Sequence, residues 1–146
     1  MAAEAAGAAF EQIKAAMAQG EPAPKKGVFV LATVEGDIHD IGKNIVKLLM
    51  ENYGYEVIDL GRDVPPAIVV EAVQKHHAPL VGLSALMTTT VPSMETTIRL
   101  LREQCPDCKI VVGGAVLTEE YATKIGADKY AADAMATVRY AEEMMG

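Results

Sequence analysis

Basic residues are scarce in this chain of 146, where thirteen lysines and arginines stand against twenty aspartates and glutamates for a formal charge of -7. There is no basic block anywhere, so a nucleic acid would meet net repulsion and that class of partner is excluded. Long apolar runs are missing too. The longest, "GVFVLATV" and "KIVVGGAVL", fall far short of the roughly 20 residues that span a bilayer. The N-terminus also lacks the basic region and apolar core of a signal peptide. A soluble cytoplasmic protein without membrane contact is expected. Cysteine is limited to Cys105 and Cys108, in "QCPDCK". No second pair completes a four-ligand zinc site, and Pro106 with Asp107 suits a turn between a helix and a strand. Both thiols are therefore expected to be structural.

What is present is apolar and periodic. Hydrophobic residues make up 51% of the chain, enough at this length for one ordinary domain with a real core. Residues 2–19 are alanine-rich and favour helix, with Phe10, Ile13 and Met17 as a thin apolar stripe. "GEPAPKKG" then has a linker's composition, which sets residues 1–26 apart from 27–146. From Gly27 strand-like and helix-like runs alternate. "VFVLATV" precedes a helix with Ile41, Ile45, Leu48 and Leu49 on one face, then "YEVIDLG" and the helical "PPAIVVEAVQKH". "PLVGLSAL" precedes a helix carrying Val91, Met94, Ile98 and Leu101. "KIVVGGA", a helix near 117–125, a short "DKYA" and a closing helix to about Met145 complete the series. Short continuous apolar strands suit a sheet covered on both faces. The expected fold is a doubly wound α/β domain with a parallel five-stranded sheet and a short N-terminal helix.

In such sheets ligands bind beyond the carboxyl ends of the strands. That edge should gather Asp37 and His39 after the first strand, Ser84 to Thr90 after the third, and Gly113 with Gly114 after the fourth. The first loop carries neither G-x-G-x-x-G nor G-x-x-x-x-G-K-[ST], so neither common phosphate cradle is indicated. It does place Asp37 two residues before His39, where the carboxylate can bind one imidazole nitrogen and leave the other for a metal or a proton. Asp40, at the start of the helix, suits a cap. His76 and His77 belong to the opposite end of the sheet, and no cysteine shares the histidine's edge. One histidine is too few for a metal held by side chains alone. It fits a metal that arrives already chelated by a macrocycle and needs one axial ligand.

These residues resemble the corrinoid (vitamin B12) binding domains of methyltransferases, whose pattern is D-x-H-x-x-G, then S-x-L, then G-G. Asp37-Ile38-His39-Asp40-Ile41-Gly42 matches the first element. Forty-one residues on, Ser84-Ala85-Leu86 matches the second, and after twenty-six more Gly113-Gly114-Ala115 matches the third. The resemblance covers about residues 27–146 and implies a Rossmann-like, flavodoxin-like domain. It implies cobalamin or a related corrinoid bound base-off, with His39 as the lower ligand of cobalt. It also implies that Asp37 orients the histidine and that Thr90, six residues after Ser84, completes a relay able to take up a proton. Ser84 is implied at the base of the nucleotide tail, Leu86 at the ring and Gly113 and Gly114 along the tail's path. Thr88, Ala115, Tyr130 and Asp133 are implied as further contacts.

The wording "VEGDIHDIGKNIV" and "GGAVLTEEYATKIGADKYAADA" is most similar to the corrinoid proteins of methanol and methylamine methyltransfer systems; methionine synthase is a more distant relative. In those systems cobalt alternates between a methylated trivalent and a nucleophilic monovalent state. The resemblance therefore implies a methyl carrier, without a substrate-activating site of its own, for donating and accepting methyltransferases, and a corrinoid reactivation protein as a further partner. Residues 1–26 resemble the end of a helical cap and its linker, which leaves an open upper face suited to self-association or partner docking. The alternatives are the B12 subunit of an adenosylcobalamin-dependent mutase, a B12-dependent sensor and, without a corrinoid, a receiver-like domain. A receiver would end its third strand in aspartate, where this chain has "LSALMTTT".

Overall fold

The strand-like runs pair into one all-parallel sheet in the computed structural model, which describes residues 27–145. The helix, cap remnant and linker expected within residues 1–26 lie outside the described residues. The elements in order are β1 (Val28–Thr33), α1 (Ile41–Asn52), β2 (Glu56–Asp59), α2 (Pro66–His76), β3 (Leu80–Ser84), α3 (Val91–Gln104), β4 (Lys109–Gly113), α4 (Glu119–Lys124), β5 (Lys129–Tyr130) and α5 (Ala134–Met145). The sheet order is β2-β1-β3-β4-β5. Strand order therefore reverses between β1 and β3, and their carboxyl ends define the crevice where doubly wound sheets bind ligands. Register places Thr33 beside Ser84 and Ser84 beside Gly113, so the three loops picked out in the sequence start side by side.

Alternate residues of β1, with Val34 just beyond it, feed two cores. Val30, Ala32 and Val34 join a cluster with Val69, Val73, Met94, Ile98 and Leu101 from α2 and α3. Phe29 and Leu31 face the other way, towards Met50 of α1 and Val138 and Ala141 of α5. Burial on both faces is why these strands read as unbroken apolar runs. The helices begin and end on local chemistry. Pro66 and Pro92 lie in first turns, where a missing N–H costs nothing. Thr118 Oγ1 accepts the Tyr121 N–H at the start of α4, and α2 closes on His77 in the left-handed region.

Helix α1 departs from the stripe read in the sequence. Lys43 and Met50 are buried and Val46 packs beside them; of the expected stripe Leu49 packs against this core, whereas Ile41, Ile45 and Leu48 are exposed. Asp40 occupies the N-cap position, but its side chain makes no capping bond. Its backbone oxygen takes the Asn44 N–H instead, because φ is -111° and ψ 6° there rather than the extended conformation that aims a cap side chain inward.

The two cysteines bracket a turn closed by the Cys108 N–H on the Cys105 carbonyl, and both are free. Burial, with Cys105 and Asp128 nearby, pushes the Cys108 thiol up to about 12, so it stays protonated and unreactive near neutrality. At pH 8 a disulfide thiol reagent should label at most the half-buried Cys105 in the native protein and reach Cys108 only after denaturation. In the core on the opposite face of the sheet, a β-carbon at Gly82 would lie 2.5 Å from Cζ of Phe29 and 3.0 Å from Cδ1 of Leu31. Gly82→Ala should therefore cost about 1–3 kcal/mol in urea unfolding, the usual penalty for overpacking.

Candidate functional site

The site begins where β1 ends. Val34 bridges to Val64 and donates to the Ser84 carbonyl; the Asp37 N–H then closes a turn on the Val34 carbonyl, with Gly36 at φ +90°. That turn carries Asp37 under the edge of the sheet, beside the loop that leaves β3. There a 3-10 turn over Thr88–Thr90 leads into α3 and buries Thr90. Asp37 bridges the two loops and is fully buried.

Its carboxylate accepts five donors. Oδ1 takes the His39 backbone N–H at 3.0 Å and His39 Nδ1 at 2.8 Å. Oδ2 takes the Leu86 N–H at 2.7 Å, the Met87 N–H at 3.2 Å and the Thr90 hydroxyl at 2.9 Å. Thr90 Oγ1 also lies 2.8 Å from the Met87 carbonyl, so its one hydrogen is shared between two acceptors. Burial raises the pKa of Asp37, but the bonds donated by His39, Leu86 and Thr90 outweigh it and hold the carboxyl well below the usual carboxylate range. An ionised carboxylate can only accept, so Nδ1 of the neutral imidazole carries the hydrogen and Nε2 keeps its lone pair. The histidine side chain is 45% exposed and its aspartate 0%.

Below His39 a cleft of about 590 Å³ runs down the α1 and α5 face of the sheet. His39, Asp40, Ile41, Gly42, Ser84, Leu86, Gly113, Gly114, Ala115, Tyr130 and Asp133 all line it. Asp37 and Thr90 stand behind the histidine, outside the lining. Thr88 is exposed on the 3-10 turn and is not part of the lining either. Asp133 has a structural task as well, since its Oδ1 accepts the Ala136 N–H at 2.8 Å in the first turn of α5. Sequence reasoning missed the cleft's deeper residues: Phe29, Leu31 and Val111 at the bottom, Gly82 in the floor, Thr137 from α5 and the buried Lys43 from α1. Gly82 was legible as the glycine inside an otherwise apolar strand. The inward aim of Lys43 had no such signal.

Two glycines shape the lining of the cleft. Gly114, at φ +144°, lies so close to the β3 loop that a β-carbon would fall 1.7 Å from the Ala85 carbonyl oxygen, so no other residue fits. At Gly42 a β-carbon would meet nothing within 4 Å. A glycine inside a helix costs about 1 kcal/mol relative to alanine, and the packing around Gly42 gives no reason for it. The space it leaves opens on the cleft. Among the described residues no group of three histidine, cysteine or acidic side chains could hold a bare metal ion.

Residues 27–139 match the B12 binding domain family. The chain belongs to that family. It is 46% identical to dimethylamine corrinoid protein 1 of Methanosarcina acetivorans, over 99% of this chain and 69% of that one. It is 41% identical to a corrinoid protein of Desulfitobacterium hafniense, over 93% and 62% of the two chains. Among solved structures it is similar to the monomethylamine corrinoid protein of Methanosarcina barkeri, with TM-score 0.78 and 34% identity over 83% of this chain and 59% of that one. It is also similar to a chain of the methanol:cobalamin methyltransferase complex from the same organism, with TM-score 0.84 and 35% identity over 96% and 55%. The chain thus spans a little over half the length of these solved relatives. Response-regulator receiver domains at 16% identity and TM-score 0.61 share the fold alone.

The cofactor of a B12-binding domain is cobalamin or a related corrinoid, and the residues present suit it. The site supplies one histidine with a free lone pair, which is what a macrocycle-held metal asks of a protein. Beneath it lies a glycine-floored cleft long enough to reach Phe29 near the far end of β1. The exposed Ile38, Ile41, Leu86 and Met87 flank the histidine loop with apolar surface for the face of a ring system.

Replacing Asp37 by asparagine sets an amide hydrogen against donors on at least one side. Asp37→Asn should destabilise the protein by about 2 kcal/mol in urea unfolding at pH 7, the scale of a buried group losing its partner. The folded-state pKa is depressed, so the wild type's advantage should be complete above the unfolded carboxylate value near 4 and shrink as the pH falls below it.

Proposed function

We propose that this chain is the corrinoid-carrying module of a methylamine-type methyltransferase system, holding its cofactor base-off with His39 as the lower axial ligand of cobalt. When bound, the corrinoid supplies a cobalt centre that accepts a methyl group from one partner and yields it to another. The chain's own residues hold and tune it. His39 presents Nε2, Asp37 fixes the tautomer and raises the basicity of that nitrogen through Nδ1, and Thr90 with the Leu86 and Met87 N–H groups holds Asp37 in place. The displaced nucleotide tail takes the cleft over Gly82 and Gly113, within reach of Ser84, Tyr130, Thr137 and Asp133.

The observation that carries this reading is the buried carboxylate bonded to Nδ1 of an exposed histidine at the mouth of a deep cleft. Its support on the system's identity comes from the relatives, which include dimethylamine corrinoid proteins and a component of a methanol:cobalamin methyltransferase complex. The partners follow from the same reading: a methyltransferase that loads the methyl group and one that removes it.

The test is the visible spectrum of the apoprotein after loading with methylcobalamin and removal of free cofactor, beside His39→Ala. Wild type should retain the cofactor and be red, and the variant should shift to the yellow base-off spectrum. A variant that stays red would mean that the cofactor's own base still holds the cobalt, and a wild type that retains no corrinoid would overturn the reading altogether.

A further inference from the structure

The histidine segment is gripped from two sides. The Asp37 side chain ties it to the loop after β3. Its backbone is tied instead to the loop after β2, residues 60–65. The Asp63 N–H donates to the Asp37 carbonyl at 2.9 Å, and Asp63 Oδ1 accepts the Gly36 N–H at 2.7 Å. The Val64 N–H donates to the Thr33 carbonyl at 3.1 Å. Beyond His39, the start of α1 is anchored to the end of β2, the strand that feeds this loop. The buried Lys43 ammonium reaches both oxygens of Asp59, at 2.8 and 2.9 Å, and its third bond goes to Asn44 Oδ1. Asp59 Oδ1 also takes the Gly61 N–H at 2.8 Å, binding the anchor to the loop.

Asp63 holds this position against its own backbone preference. Its φ is +53°, a left-handed conformation that costs a residue with a β-carbon and is kept where surrounding bonds over-determine it. Here those bonds all end on the histidine turn.

From this convergence the structure assigns Asp63, supported by the Lys43 and Asp59 pair, as a positioning residue for His39: it fixes the Gly36-Asp37 turn from which the axial ligand is presented. It touches neither the cleft nor the imidazole and acts through the turn alone. Two short bonds on Gly36 and Asp37 leave that turn little freedom to pivot about the Asp37 carboxylate. Removing the acceptor should let His39 retreat without emptying the cleft. This inference rests on His39 being the cobalt ligand.

The experiment compares Asp63→Gly with Asp63→Asn, both loaded with methylcobalamin and read by visible spectroscopy at one fixed pH beside wild type and His39→Ala. Glycine accepts φ +53° without strain and removes only the carboxylate; asparagine tolerates the same φ and keeps an oxygen acceptor. Asp63→Gly should retain the corrinoid but lower the ratio of His-on to base-off spectra roughly tenfold, the scale of one hydrogen bond to a charged group. Asp63→Asn should match wild type.

A wild-type ratio in Asp63→Gly would overturn the assignment, and so would a loss in Asp63→Asn equal to that in Asp63→Gly. In either case His39→Ala still turning base-off leaves the functional reading standing, whereas a His39→Ala spectrum identical to wild type removes that reading itself. Should Asp63→Gly fail to fold by circular dichroism, the decision passes to the double variant Lys43→Met with Asp59→Asn. This variant removes the other anchor without stranding a buried charge. A lowered His-on ratio there supports the positioning role, and an unchanged one overturns it.

Discussion

A single buried carboxylate organises this edge of the protein. Burying a charge costs several kcal/mol unless its bonding capacity is filled, and Asp37 answers that cost with five donors from two separate loops. Two come from its own turn and three from the loop after β3, so the carboxylate is a strut between neighbouring strand ends as much as a partner of the imidazole. The donors that stabilise the negative charge also keep it ionised, and an ionised carboxylate is what directs the hydrogen of His39 to Nδ1. Stability and the tautomer of His39 therefore rest on the same bonds. The structure cannot weaken one without disturbing the other.

The topology makes that strut available. Because β1 and β3 are neighbours but not consecutive, the helices that follow them depart to opposite faces and leave a crevice between the two loops. On the α1 and α5 face the crevice deepens into a cleft lined by Gly82 and Gly113, with the side chains of Phe29 and Leu31 lying close against Gly82. The exposed face of α1 belongs to the same design. Ile41 and Ile45 turn away from the core to line the cleft, while Lys43, Val46 and Met50 face the sheet in their place.

Much of this was legible in the sequence, and what was not has a common physical reason. The alternation of strands and helices, the glycine pair at the end of the fourth strand and the Asp37 and His39 pair are local patterns, and local patterns survive being read in one dimension. The Thr90 contact was legible only through the resemblance, since its partner is 53 residues away. The aim of Lys43 was not legible at all. Helical periodicity put Ile41, Ile45, Leu48 and Leu49 on the apolar stripe, of which Leu49 packs on the core, and nothing nearby announced that Asp59, sixteen residues on, would draw a lysine into the interior. Asp63 was hidden for the same reason: Gly36 lies 27 residues before it, and a left-handed aspartate in "GRDVPP" looks like any turn residue.

The Lys43 and Asp59 pair also shows why the brace is ionic. A hydrophobic residue at 43 would bury as well against β2, and exchanging a buried ion pair for apolar packing is often neutral or stabilising. Apolar contact is non-directional, however, and would let α1 slide along the sheet by a fraction of a turn. A bidentate ammonium–carboxylate pair whose third donor is also satisfied permits one register. Burial raises the Asp59 pKa, but the Lys43 hydrogen bonds, the Gly61 N–H and the charges of Lys43 and Lys47 outweigh it and keep the carboxyl below its ordinary range, so Asp59 stays a carboxylate at neutral pH. Since α1 starts two residues after His39, fixing its register fixes where the histidine segment must end. Asp63 fixes where it must begin. Between those two anchors the imidazole has one short span of chain in which to move, which holds it at one place above the cleft.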